Sequence, residues 1–211
     1  MKYCFVNYSF AGTADGFAVQ GKRLIGGGEV YLHDLCKLLQ RDGHETTVVQ
    51  GGPRGERFDY DGIPVVQVKS RGRYAFNWDW KRGVPKDADF VHLHDANNAF
   101  HLASKENTAT FHGVSWDVPF SGFDPVAYAK WRSRNAFFKF LIRFAVARCK
   151  KIVSVDSVLP RYVRHYMPKY AEKITVIPNY VDLAKFRPMK TPNSGKGTPR
   201  ASGDDARGAS G

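Results

Sequence analysis

Two histidine-bearing segments close short apolar runs. His92-Leu93-His94-Asp95 ends the run that begins at Phe90, and His112-Gly113 ends the run from Thr108 to Phe111. If both runs are parallel strands, their ends open into the crevice where an α/β sheet binds ligands. An imidazole there can donate a hydrogen bond to a sugar hydroxyl or a phosphate, or stabilise charge as a bond breaks. His112 is therefore the candidate catalytic residue, with Gly113 permitting close approach, and His94 and Asp95 are candidate substrate contacts. The competing reading of His112 is a strand-end histidine bonded to a nearby loop. Period-two alternation sends His92 to the same face as His94, and His92 reads as a core residue. A metal site from His92, His94 and Asp95 lacks a fourth ligand, so none is expected.

Gly26-Gly27-Gly28-Glu29 opens the first helix after a long loop. Glycines let backbone approach a ligand, and the free amides of a helix start can hold an anion. Gly27 and Gly28 thus become candidate phosphate or sugar contacts, with a tight packing turn as the equal alternative. The dinucleotide fingerprint fails, because Tyr31 stands where its third glycine should be and the second strand ends in Gln50 rather than an acid. A Walker A pattern is also missing.

Pro125 to Lys151 holds eight basic residues and no acid. At helical spacing Arg132, Lys139, Arg143 and Lys150 share a stripe, with Trp131, Phe138, Leu141, Ile142 and Ala145 opposite. The stripe fits anionic lipid headgroups, and it equally fits an ordinary helix with its basic face in water. Trp78 and Trp80 sit in a loop-like stretch, where they could stack on a sugar ring or, as the better expectation, form a local apolar cluster.

The elements that must position these groups alternate in type. Strands are expected at Tyr3–Tyr8, Thr46–Gln50, Val65–Lys69, Phe90–Leu93, Thr108–Phe111, Lys151–Val155 and Ile174–Ile177. Helices are expected at Glu29–Arg41, Asn97–Glu106, within Pro125–Arg148, and around Leu159–Tyr170. The order implies α/β architecture, a single Rossmann-like, doubly wound and mainly parallel sheet. At 211 residues and 43% hydrophobic content the chain can fill one core. Its net charge of +12 favours acidic partners. Cys4, Cys36 and Cys149 are odd in number and far apart, which suits a reducing cytosol rather than a disulfide framework. No run resembles a signal peptide or a spanning helix, so a cytoplasmic protein is expected, with peripheral attachment at the inner face of the membrane as its furthest reach. Residues 189–211 lack aromatic and branched aliphatic side chains and read as a disordered polar tail after a domain of residues 1–188.

Several of these pieces together resemble a known series: Gly26-Gly27-Gly28-Glu29, Gly43-His44-Glu45, Asp89-Phe90-Val91-His92-Leu93-His94, Thr110-Phe111-His112-Gly113, Lys151-Ile152-Val153-Ser154-Val155, and Val176-Ile177-Pro178-Asn179-Tyr180-Val181-Asp182 with Phe186-Arg187-Pro188. The chain resembles the N-terminal half of a family 4 glycosyltransferase of the GT-B fold. Tyr180 departs from the glycine usual there, and Asp156 from the usual serine. The resemblance implies a retaining transferase of the hexosyl type, with a nucleotide-diphosphate sugar as donor substrate, no cofactor, and a glycan or lipid-linked acceptor. It implies that Gly27 and Gly28 approach the donor diphosphate or the acceptor, and that His112 meets the transferred sugar. Most donor-binding groups of the family lie in a second domain, so this chain is expected to be a truncated or split enzyme, paired with a separate C-terminal half if it is active. Nucleic acid is not an expected partner. The alternative is a non-catalytic binding module or partner subunit that uses the basic helix on a polyanion or membrane surface.

Overall fold

Strand β1 (Lys2–Val6) lies at the centre of the sheet because β-branched and aromatic neighbours cover both of its faces. The computed structural model describes residues 1–11, 18–19, 22–23, 27–94, 107–114, 116 and 119–179. After β1 come the short pair β2 (Ala18–Val19) and β3 (Lys22–Arg23), helix α1 (Gly27–Arg41), and strands β4 (Glu45–Gly52), β5 (Glu56–Tyr60) and β6 (Ile63–Lys69). Helix α2 (Arg73–Asp79), a 3-10 turn at Trp80–Gly83, and strands β7 (Phe90–Leu93) and β8 (Thr108–Phe111) follow. The remainder is helix α3 (Pro125–Arg148), β9 (Lys151–Ser154), α4 (Val158–Tyr166), a second 3-10 turn at Pro168–Lys173, and β10 (Ile174–Val176). These close one unit over Met1–Pro178. The expected helix at Asn97–Glu106, the boundary at residue 188 and the polar tail lie outside the described residues.

The main sheet runs β10-β9-β8-β7-β1-β4-β6-β5, and every pairing is parallel except β5 with β6. This is the expected Rossmann-like α/β domain. Strand order reverses at β1: the chain moves outward through β4 and β6, then returns to lay β7 on the other side of β1. Connections leave β1 and β7 in opposite directions, so a crevice opens between their carboxyl ends at Val6 and Leu93, which are directly paired.

Alternation along β1 divides the core. Cys4 and Val6 join Val49, Leu93, Phe111, Trp80 and Ile142 on one face, while Phe5 joins Leu32, Cys36, Val48 and Ile63 on the face covered by α1. Helix α1 meets the sheet through Leu32 and Cys36, one turn apart, and ends in paired backbone bonds, His44 N to Leu39 O and Gly43 N to Gln40 O, both 3.0 Å. Gly43 adopts φ +80° to close that cap. Helix α3 starts at Asp124, whose Oδ1 accepts from Val126 N at 2.8 Å. At its far end Lys173 Nζ donates to Ala147 O and Cys149 O at 3.1 and 2.9 Å, placing a cation on the last carbonyls. The unusual Asp156 acts locally, since its Oδ1 accepts from Val158 N at 2.9 Å and so starts α4.

The short β2–β3 pair, strand β5 and helix α2 escape the sequence reading. Strand β5 is charged and lies at the sheet edge, so its pattern looks like a loop, although Asp61 (φ +53°) and Gly62 (φ +75°) form the tight turn that such a pair announces. Trp78 and Trp80, read as loop residues, instead occupy α2 and the turn after it. Trp80 is buried at 1% exposure, as a cluster residue should be, whereas Trp78 is 65% exposed.

Candidate functional site

The crevice predicted by topology holds a cleft of about 380 Å³ lined by Asn7, Gly28, Glu29, His94, His112, Gly113 and Val114. Four elements contribute. Asn7 follows β1, Gly28 and Glu29 belong to the first turn of α1, His94 follows β7, and His112 to Val114 follow β8. Period-two spacing explains the histidines: His92 and His94 of one strand, and Thr108, Thr110 and His112 of its neighbour, all face the side that packs on Phe5.

His94 Nε2 lies 2.8 Å from Gly28 O and 3.0 Å from His112 Nε2. A carbonyl can only accept, so His94 carries its hydrogen on Nε2 and donates it to Gly28. His112 Nε2 meets the same N–H as an acceptor, and the neutral His112 ring then carries its proton on Nδ1. The buried His94 (1% exposed) thus clamps the start of α1 to the end of β7 and orients His112. Tyr31 completes the arrangement, stacked on His94 at 5.6 Å with a 19° interplanar angle and edge-on to His112 at 5.7 Å. Gly113 holds φ +149°, a backbone that L side chains rarely adopt, and so turns the chain away just after His112.

The other wall is set by a buried amide network. Gln50, fully buried on β4, accepts from Phe10 N and Ala11 N at 3.1 and 2.8 Å through Oε1. Its Nε2 donates to Ala11 O at 2.7 Å and to Gln67 Oε1 at 2.9 Å. The loop after β1 is thereby fixed, and Asn7 Nδ2 bonds Ser9 O at 2.8 Å within it. Ser9 Oγ in turn donates to Glu29 Oε1 at 3.0 Å. A residue that failed as a ribose anchor therefore serves as the strut of the cleft, and sequence spacing held no sign of it.

Of the candidate contacts, His112, His94 and Gly28 come together. Gly28 stands against the pair, since a Cβ there would lie 3.8 Å from His94 Nε2 and 4.0 Å from His112 Cδ2. Gly27 is exposed in the same turn, with open space where its Cβ would be. Asp95 and Gly26 lie outside the described residues. Asn7 and Glu29 line the cleft and Tyr31 packs on its two histidines, and the sequence reading assigned none of the three a contact. Arg132, Lys139, Arg143 and Lys150 lie on α3 and just beyond it, and none of them lines this cleft. Lys139 Nζ sits 5.4 Å over the Trp116 ring, and Arg143 Nε donates to Tyr162 Oη at 3.0 Å, whereas Arg132 and Lys150 are exposed.

His92 is a core histidine. Nδ1 and Nε2 lie 2.7 and 2.9 Å from Thr108 Oγ1 and Thr110 Oγ1, leaving neither nitrogen for a metal or a substrate. Burial, followed by the neighbouring His94 and His112, pushes its pKa from the ordinary 6.5 down to about 3. The unfolded chain binds this proton below pH 6.5 and the folded one does not, so the contribution is complete above about pH 6.5 and is lost as pH falls toward 3. Urea unfolding at pH 7 and pH 5 should show wild type losing about 2 kcal/mol more than His92→Gln over that interval. Parallel losses in the two proteins would refute the assignment.

The family model described as Glycosyltransferase Family 4 matches residues 25–185. The chain belongs to Glycosyltransferase Family 4. This family 4 domain also resembles a solved structure, the catalytic domain of starch synthase IV from Arabidopsis thaliana bound to ADP and acarbose, at 12% identity and a TM-score of 0.47. That likeness covers 87% of this chain and 52% of the other, so the family 4 chain spans about half the length of that structure. No curated protein matches it. Among the described residues no helix is long and apolar enough to cross a membrane.

Proposed function

We infer that this domain is the acceptor-side half of a retaining glycosyltransferase that moves a hexosyl group from a nucleotide-diphosphate sugar to a glycan or lipid-linked acceptor. Membership of the family supports sugar transfer, and the observation that carries the assignment to this cleft is the His94–His112 pair at the switch point. The pair fixes Nδ1 of His112 as its protonated nitrogen, a donor for a sugar hydroxyl or for charge developing at the reacting centre. His94 is a positioning residue, since its own N–H is held by Gly28.

The first turn of α1 favours hydroxyls over phosphate. Glu29 brings a carboxylate to the helix start where an anion would otherwise bind, and Ser9 fixes it there. A carboxylate accepts hydrogen bonds from hydroxyls and repels a diphosphate, so the cleft takes the acceptor or the sugar ring. The diphosphate and nucleotide then rest on a donor-binding domain that forms the opposite wall, as transfer in a closed cleft requires. Transfer takes place in the cytoplasm, where nucleotide sugars are substrates rather than resident cofactors.

Calorimetric titration of the chain with acceptor oligosaccharides and with nucleotide sugars tests this reading. Oligosaccharide binding that is weakened at least tenfold by Glu29→Gln or His112→Ala is expected, with nucleotide alone binding more weakly. Tight binding of free nucleotide that is insensitive to both substitutions would overturn it.

A further inference from the structure

Helix α3 presents a second surface that the cleft does not use. Its buried residues Leu141, Ile142, Ala145 and Val146 face the core. On another side Phe137, Phe140 and Phe144, spaced three and four residues apart, form an apolar stripe that is 47%, 52% and 36% exposed. Val126, three turns earlier on the same stripe, is 60% exposed. The Phe140 and Phe144 rings meet edge to face at 4.8 Å, so they form one patch rather than isolated side chains. Lys130 lies along the stripe between Val126 and Phe137, Arg148 follows Phe144 at its end, and Arg134 flanks it, all three exposed. The Arg148 guanidinium lies 5.7 Å over the Phe144 ring. The segment from Pro125 to Lys151 contains no Asp or Glu.

We propose that this aromatic stripe, with its bordering cations, docks the domain on an anionic lipid surface. This differs from the cationic stripe legible in the sequence, whose Lys139 and Arg143 are engaged on Trp116 and Tyr162. Charge complementarity selects the occupant. A second copy joined through the same face would set each cationic border against its like. A nucleic acid backbone would satisfy the cations and leave a convex row of phenyl rings wet. A bilayer interface takes both, with rings at the acyl boundary and Lys and Arg among the headgroups. Each bordering cation strengthens attachment about fivefold near such a surface. The proposal is independent of the reaction in the cleft.

The test is co-sedimentation of the full chain with phosphatidylcholine vesicles, with and without phosphatidylglycerol. Binding to the anionic vesicles alone is expected, reduced at least tenfold in the variant Phe137→Ser/Phe140→Ser/Phe144→Ser and again by Lys130→Gln/Arg134→Gln. Phe140→Trp keeps the stripe apolar and reads its depth without risk to the fold. Its added fluorescence, compared with wild type, should be quenched by lipids brominated on the acyl chains. Binding that survives loss of the phenyl rings, absence of quenching, or failure to bind anionic vesicles would each overturn the proposal. Preferential capture by single-stranded DNA, or a dimer that the triple variant dissolves, would overturn it in favour of those occupants.

Discussion

His112→Ala should lower sugar-transfer turnover a hundredfold or more in an enzyme that joins this domain to a donor-binding domain. The ring stands at the mouth of the switch-point cleft, oriented by a 3.0 Å contact with His94 and an edge contact with Tyr31. Losing a donor that stabilises developing charge costs about 2.7–4 kcal/mol in the transition state, and losing an ordinary neutral hydrogen bond about 0.5–1.5 kcal/mol. The first range gives the hundredfold effect. His112 is only partly buried, so the melting temperature should fall little. His112→Asn keeps a side-chain N–H donor and should recover part of the rate. Activity per folded molecule is the deciding quantity. A variant that melts early while its folded fraction turns over normally would make His112 a loop anchor and remove it from the chemistry.

Gln50→Leu should be the most destabilising single change near the site. The amide serves two backbone N–H groups, one carbonyl and the Gln67 side chain, all away from water. A leucine of similar size fills the space and leaves these partners unsatisfied, at about 1–3 kcal/mol for each group that finds no water. A total of about 3 kcal/mol or more is expected, equivalent to a fall in Tm of roughly 6–12 °C for a domain of this size. Glu29 depends on the same loop through Ser9, so oligosaccharide affinity should fall with stability even though Gln50 is absent from the cleft lining. Chemical denaturation and calorimetry on the same variant measure both effects. An unchanged unfolding midpoint would show that the loop after β1 is held by other contacts.

The two variants separate the proposed ligand contact, His112, from the strut behind it, Gln50. They also show why a sequence motif and a site are different objects. The three-glycine motif was visible because small residues at a helix start mark either close approach or tight packing, and Gly28 does pack closely on His94. Gln50 was visible only as a mismatch to a dinucleotide fingerprint, since its role depends on a loop forty residues earlier in the chain.

By itself the sequence determined the alternation of buried strands and amphipathic helices, because a parallel strand shielded on both faces is apolar almost throughout, as Tyr3–Val6 is. It also placed His94 and His112 at strand ends, since period two and a following glycine are local properties. Edge strand β5 stayed hidden, because a strand with water on one side and no second neighbour can carry Glu56, Arg57 and Asp59 without an apolar signature. Tertiary structure alone decided that His94 would donate to Gly28 and set the tautomer of His112, that Glu29 would enter the cleft, and that two of the stripe cations on α3 would turn onto aromatic rings. Those outcomes depend on distances between groups far apart in the chain, and sheet order sets such distances: the return of β7 to the side of β1 creates the crevice, and no run of adjacent residues encodes which strand will lie beside which.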